Sequence, residues 1–420
     1  MVHQSYELWF KMITRDDCVA LDAGDELAGV RGEYILDESL LYLDGNSLGP
    51  VSTSVQRRVR ETIDREWAEE LVRGWGEGWM DAPTRMGDRL APLIGARVGE
   101  VVVADSLTIL LAKVIGGALD QRRDRHMVLT DVANFHSDIY IVEAMASRAG
   151  RSVTVRAVER STLEQELNDD VALVMLTHVD FRTGEMLDLK GITKKVHDVG
   201  ALMLWDFAHS TGAVPLDVTE ANVDFAAGCG YKYLNGGPGS PGFLYVRTSW
   251  QGILENPFPG WLGHARPFDF ERTYEPARGM QAFVTSSPSI VALAALDGAL
   301  DVWDRVTVAQ VRRKSLAMTD LFMALVEERL PGVFEIVTPR EHSIRGSQVA
   351  LRHAQAYAII RALIERQVIG DFRDPDICRF GFTPLYLRFV DVFDAVGHLV
   401  EVMSTEAYRD RRFAVRKPVT

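Results

Sequence analysis

The chain is predicted to fold as an α/β protein: a large domain with a mostly parallel sheet flanked by helices, and a smaller α+β domain. Three features predict this. Between residues 126 and 246 short apolar runs alternate with helical stretches, the order expected of right-handed βαβ crossovers. Two of the runs end in residues able to do chemistry, where strands of an open parallel sheet present ligands. Beyond about residue 290 the alternation gives way to long helical segments with short strands between them.

Taken in order, Val55, Val59, Ile63, Trp67 and Leu71 recur every fourth residue among charged neighbours, which predicts an amphipathic packing helix entered through Ser52 or Thr53. A second helix opens at Ser106, Leu107 and Thr108 and runs on through an apolar stretch. Then come strand 126–130, helix 138–148, strand 152–158, helix 162–167, strand 171–176 and helix 191–199. The stretch 201–246 supplies three more strands, at 201–205, 223–227 and 242–246. Short strands are expected near 334–337, 348–351 and 378–380. The large domain is expected to span 50–290, with the small domain built from 1–49 and 291–420, although no Ser/Gly linker marks the junctions.

The 46 basic and 59 acidic residues give a net charge of −13, which argues against nucleic-acid and anionic-membrane partners. Cys18, Cys229 and Cys378 are scattered and odd in number, so neither a disulfide framework nor a metal site is indicated, and a reducing cytoplasm is expected. The first residues lack an apolar core of signal-peptide length. The apolar segment 290–302 is broken by Asp297 and Asp301, so no membrane span is predicted.

The central stretch carries the chemistry. Asp206 and His209 follow one apolar run; Tyr231 and Lys232 follow the next. An acid and an amine at neighbouring strand ends suit pyridoxal phosphate (PLP), which a lysine holds covalently while a carboxylate keeps the pyridine nitrogen protonated. An isolated Asp and Lys more often cap a helix and face solvent. Here Lys232 sits between an apolar strand and a Gly-rich turn, where an unpaired ammonium would be out of place. The glycines of 235–242 follow the lysine and precede a strand, so they are not a dinucleotide fingerprint.

WDFAHSTGAVPLDV and GCGYKYLNGGPGSPGFLYV, with LYLDGNSLGP at 41–50, LTHVDFRTGEM at 176–186, GWLGHARPFDF at 260–270, RGSQVALRH at 345–353 and RFGFTPLY at 379–386, resemble the kynureninase family. The likeness runs nearly end to end. It implies a PLP enzyme of the aspartate-aminotransferase fold that cleaves the Cβ–Cγ bond of L-kynurenine to give anthranilate and L-alanine, in tryptophan degradation.

By this resemblance Lys232 is the PLP lysine and Asp206 the pyridine partner, with His209 at the cofactor and Tyr231 on the phosphate and available as a proton carrier. Leu107 and Thr108 would hold the phosphate at a helix start, which offers backbone N–H groups and the positive end of the dipole. Phe135 would cover the ring with Asp138 in reach, although His136 and Ser137 depart from the family's Pro-Thr. Trp261 would reach a phosphate from the neighbouring subunit. Ser287 matches a polar Asn or Thr position that Thr285 or Ser286 could fill instead. These last two imply a homodimer with shared sites. Arg379 would take the substrate α-carboxylate in a two-pronged pair, and Trp75 would face the aromatic ring.

Two rivals keep the fold. An aminotransferase or cysteine desulfurase would share the cofactor, but a desulfurase needs a mobile cysteine, and Cys229 and Cys378 lie in strand-like runs. A silent scaffold has no need of Asp206, Tyr231, Lys232 and Arg379 together. Preference among kynurenine, 3-hydroxykynurenine and other ring-substituted forms stays open.

Overall fold

The computed structural model describes residues 13–417, which form two compact units. The larger comprises Val51–Phe181 and Met186–Asp304. The smaller draws on the chain up to Pro50, on Arg182–Glu185 and on the chain from Arg305.

The larger unit is built on a seven-stranded sheet. Its spatial order is Val101–Ala104, Gly242–Val246, Phe225–Cys229, Leu202–Asp206, Val171–Thr177, Met127–Asp131 and Thr154–Val158. Gly242–Val246 is antiparallel to both neighbours, and the other pairings are parallel. The strands Val171–Thr177, Leu202–Asp206, Phe225–Cys229 and Gly242–Val246 are buried at every position. Helices cover parallel sheets on both faces, so such strands read as unbroken apolar runs. Helix Leu107–Gln121 packs Leu111, Val114 and Ile115 into one core with Leu204, Phe225 and Leu244. Strand Val101–Ala104 has no counterpart among the predicted elements.

The first helix departs from expectation in which face it buries. Ser52 is its cap, accepting from the Val55 amide at 3.2 Å, and the α-helix Thr53–Glu61 continues as a π-helix over Thr62–Glu70. Yet Ile63, Trp67 and Leu71 are exposed, Trp67 by 58%. The α-helix carries the row only as far as Val59; Ile63 and Trp67 fall in the π-helix, whose wider turn changes which side chains face inward, so the row leaves the buried face. The inward face is polar: Arg58 pairs with Glu66 at 2.7 Å and with Asp297 at 3.3 Å, and the Trp79 indole donates to Glu66 at 3.0 Å.

Asp297 lies on helix Ile290–Leu300, which the larger unit holds. The sequence reading assigns it to the small domain, because a helix apolar but for one Asp does not say what it packs on. Its partners do say so. Arg89 reaches Asp297 at 2.7 Å, and Gly298 lets the helix approach the backbone at Ser54, 2.8 Å from where a Cβ would stand.

The smaller unit carries a four-stranded antiparallel sheet in the order Asp371–Arg373, Ile377–Gly381, Gln348–Arg352, Glu335–Ile336. Helices Val308–Arg329 and Phe389–Ser404 pack together beside it. The N-terminal helix Arg15–Ala23 joins them, with Asp22 accepting from the Phe389 and Val390 amides at 2.6 and 3.0 Å. Leu41–Tyr42 pairs in parallel with Val368–Ile369. Among the described residues no helix is long and apolar enough to cross a membrane.

Gly242 is where the sheet meets the helix start at Leu107. A Cβ there would stand 2.8 Å from the Gly228 carbonyl oxygen, 3.0 Å from Leu110 Cδ1 and 3.2 Å from the Leu107 nitrogen. Gly242→Ala is therefore expected to cost about 1–3 kcal/mol by overpacking. Chemical denaturation should show a lower midpoint, and an unchanged one would mean that the helix start yields without strain.

Candidate active site

Strand Leu202–Asp206 ends in Asp206, and the following turn presents His209; strand Phe225–Cys229 leads into Tyr231 and Lys232. The two strands are parallel neighbours, with Asp206 beside Ala227, so all four residues arrive at one edge of the sheet. Lys232 Nζ lies 2.9 Å from His209 Nε2 and 5.8 Å from the centre of the Tyr231 ring.

Asp206 is 3% exposed, and several neighbours work against the cost of burying its charge. One oxygen accepts from the Ala208 amide at 2.7 Å; the other faces the Thr177 hydroxyl at 3.4 Å, Thr177 being its register partner on the next strand. Asp138, in the first turn of helix His136–Ala146, donates to the same carboxylate. Burial first, and the Asp206 charge second, push Asp138 far above the usual carboxyl range. Burial also raises Asp206, against the pull of Lys232. Two buried carboxyls side by side cannot both ionise, so the pair keeps one proton, on Asp138. The outer oxygen of Asp138, Oδ2, is enclosed without a hydrogen-bond partner.

Tyr231 is kept neutral: the Cys229 thiol and burial both push its phenol up. The cysteines are poor nucleophiles. Cys229 and Cys378 are enclosed in strands, and burial raises both thiols; Cys18 is pushed up to about 11 for the same reason.

Helix Leu107–Gln121 starts at Ser106, whose side chain makes no capping bond, so no side-chain cap covers the first-turn amides. The chain enters through Asp105 at φ +47, a left-handed conformation that costs a residue with a Cβ about 1–2 kcal/mol. Lys113, 0% exposed, holds that turn: its ammonium donates to Asp105 at 2.6 Å and to the Phe283 carbonyl. Phe135 caps the helix His136–Ala146 and meets Phe181 edge to face at 5.0 Å.

Other predicted residues lie elsewhere. Trp261 is 42% exposed, with its indole donating to the Pro267 carbonyl and its ring edge-on to Phe268. Ser286 and Ser287 are exposed, and Thr285 is part-buried. Trp75 is half-buried, edge-on to Trp79 at 5.6 Å and packed against the core. Arg379 belongs to the smaller unit and is described below. Sequence reasoning missed Thr177, Asn134 and Lys113. Thr177 ends an apolar run and so carried the same signal as Asp206; Asn134, which accepts from the Thr177 hydroxyl, carried none.

A kynureninase C-terminal domain model matches residues 311–399. The kynureninase of Pseudomonas fluorescens is 46% identical over 416 residues, which cover 97% of this chain and all of that protein. That of Burkholderia pseudomallei (strain 1106a) is 45% identical over the same extent. The chain belongs to the kynureninase family. Among solved structures, an apo cysteine desulfurase from Thermococcus onnurineus NA1 matches with a TM-score of 0.78 at 18% identity, covering 90% of this chain and 98% of that one. A C-DES variant with glycine covalently linked to its PLP cofactor matches at 0.74 and 19%, covering 88% and 99%. The kynureninase family and these neighbours share the α/β fold with its mostly parallel sheet.

The residues fit PLP on their own chemistry. A lysine amine, an ionised buried acid, an acid with an enclosed oxygen left over, and an uncapped helix start are what the aldehyde, the ring nitrogen, a ring substituent and the phosphate would each require.

The shared proton makes a prediction for the cofactor-free protein. Because the folded-state carboxyl of Asp138 is raised, its contribution to stability is complete below the unfolded carboxyl range, near pH 4, and is lost as pH rises through the folded value. Asp138→Asn has no proton to lose. Its melting temperature relative to the native protein should therefore climb from pH 5 to pH 9, by about 2 °C or more for each kcal/mol relieved. Parallel curves would remove the shared proton.

Proposed function

We infer that this chain is a PLP-dependent hydrolase that cleaves the Cβ–Cγ bond of L-kynurenine, releasing anthranilate and L-alanine. The observation that carries the reading is the delivery of Lys232 and the buried Asp206 to one edge of the sheet from adjacent parallel strands. The likeness to curated kynureninases over nearly the whole chain supports the substrate.

When bound, PLP supplies an electron sink for the charge left on carbon by bond cleavage. The roles that follow are proposals for this chain's own residues. Lys232 links the cofactor and, once displaced, takes the proton from the substrate Cα, with His209 beside it to receive or return a proton. Asp206 holds a proton at the ring nitrogen, and Asp138 keeps Asp206 in place. Leu107 and Thr108 offer their amides, and Thr108 its hydroxyl, to the phosphate. Phe135 covers the ring. Arg379 grips the α-carboxylate, which fixes charge and orientation together. Trp75 is proposed as a contact of the aromatic ring. Tyr231, neutral throughout the working range, returns a proton in the late steps.

A homodimer in the cytoplasm is proposed with it. The exposed Ile63, Trp67, Leu71 and Val72, and the exposed Trp261, Phe268 and Phe270, are an unusual load of apolar surface for a monomer and support such a partner. Trp261 and the polar residues around Ser287 would then serve the site of the partner copy. Three free buried cysteines suit a reducing compartment.

Borohydride reduction of the holoenzyme should fix one cofactor per chain on Lys232, read by peptide mass; a label on another lysine would sink the assignment. Tyr231→Phe should lower kcat by about 100-fold with normal cofactor content, the usual range for a lost proton donor. Unchanged cleavage would take Tyr231 out of the chemistry. Trp67→Glu should shift sedimentation from dimer towards monomer, and an unaltered dimer would place the interface elsewhere.

A further inference from the structure

The smaller unit contains a compact charge cluster around Arg379. Leu43 donates to the Ile369 carbonyl at 2.8 Å, and Gly381 donates to Leu43 at 2.7 Å, so the loop after Leu41–Tyr42 is stitched to the sheet. Close approach is built in. A Cβ on Gly45 would stand 2.2 Å from the Tyr386 hydroxyl and 2.3 Å from Thr383 Oγ1, and one on Gly381 2.0 Å from Asn46 Oδ1. The polar side chains of Asp44, Asn46 and Ser47 are thereby brought against the strands Asp371–Arg373 and Ile377–Gly381.

Arg379 is 1% exposed and sits across the antiparallel register from Asp371. It forms a two-pronged pair with that carboxylate, with Nε donating to Oδ1 at 2.8 Å and a terminal nitrogen to Oδ2. The same terminal nitrogen donates to Ser47 Oγ at 2.9 Å, and Ser47 donates to Asp371 at 2.8 Å. Arg373 adds a second guanidinium, bonded to Asp371 and 3.3 Å from Ser47 Oγ. Asp44 is the fourth charged group. Its Oδ1 is enclosed with no hydrogen-bond partner, as are Asn46 Oδ1 and Thr383 Oγ1.

Two arginines and one aspartate leave one positive charge, which an ionised Asp44 would cancel. The structure assigns to Asp44 control of how strongly Arg379 holds a substrate carboxylate: protonated, it leaves that charge in place, and ionised, it takes it away. This rests on the reading of Arg379 as the carboxylate grip. The groups facing Asp44 are Asp371 and Arg373 on one strand, Arg379 on the next, Ser47 on its own loop and Tyr42 just before it. Burial, then the Asp371 charge, push its carboxyl up to about 7, against the pull of Arg379 and Arg373. Burial and Asp44 itself push the Tyr42 phenol up, so Tyr42 stays neutral. An incoming carboxylate favours the protonated form, and binding must take up protons near neutrality.

The probe is 4-(2-aminophenyl)-4-oxobutanoate, which keeps the aryl ketone and the carboxylate of the substrate but has no α-amino group to titrate. With the holoenzyme its competitive Ki should rise about tenfold between pH 6 and pH 8.5, the scale of one neighbouring charge. In Asp44→Asn the Ki should stay flat, near the native value at pH 6. An equal rise in both proteins overturns the inference. Arg379→Met separates the two levels: if it leaves Ki unchanged, the grip reading fails and the inference goes with it. If it weakens binding at every pH while Asp44→Asn follows the native curve, the role of Asp44 alone fails. Should Asp44→Asn not fold, titration calorimetry of the native holoenzyme at pH 7 in two buffers of different ionisation enthalpy decides. Uptake of a fraction of a proton supports the assignment, and none overturns it.

Discussion

A carboxylate held as an ion inside the sheet is the constraint that the catalytic edge depends on. Removing a lone charge from water costs far more than a folded unit can spare, so Asp206 persists only because each of its neighbours is in place. The Ala208 amide requires a tight turn straight after the strand. The Thr177 hydroxyl requires the parallel register that sets Thr177 beside Asp206. Asp138 requires a helix beginning at His136, so that a first-turn side chain points back at the strand end. Lys232 requires the adjacent strand to end level with this one. Backbone register and chemistry are in this sense one arrangement.

The helix start at Leu107 follows the same logic with the sign reversed. Lys113 is a fully buried ammonium, and burial alone pulls its pKa down. Asp105 keeps it charged, and the pair in turn holds Asp105 in a left-handed backbone that the side chain would otherwise avoid. The result is an uncapped helix N-terminus fixed against the strand Gly242–Val246, where Gly242 donates its amide to the Asp105 carbonyl at 2.8 Å. A net charge of −13 is therefore no guide to the field at such a helix start, because that field is local.

What the sequence made legible follows from what physical signals reach along a chain. The alternation of strands and helices was readable because fully buried parallel strands are unbroken apolar runs, and Asp206 and Lys232 stood out as polar residues ending such runs. The helix after Ser52 misled because its ion pairs, Arg58 to Glu66 and Asp297, reach across 8 and 239 positions, and the more distant partner is invisible to periodicity. The apolar row in that helix was real, but beyond Val59 it faces out. Asp371 was missed although it lies only 8 residues before Arg379. Its signal was the hairpin between the two, an Asp-Pro-Asp turn that sets one residue opposite the other, and that becomes a contact only once the strands pair.

Each charge cluster contains a buried carboxyl, Asp138 in one and Asp44 in the other, whose proton sets the local charge. Beside Asp206, the proton on Asp138 leaves the pair with a single negative charge, the complement of a protonated pyridine nitrogen. Beside Arg379, a proton on Asp44 leaves a single positive charge, the complement of a carboxylate. The difference lies in how firmly each proton is held. Asp138 faces another carboxylate in full burial, and both effects hold its carboxyl far above the usual range. Asp44 is opposed by two guanidinium groups, so its proton is lost near neutrality. A site whose ligand must leave in every cycle gains from a charge that can be withdrawn, whereas a site whose ligand stays gains only from one that cannot.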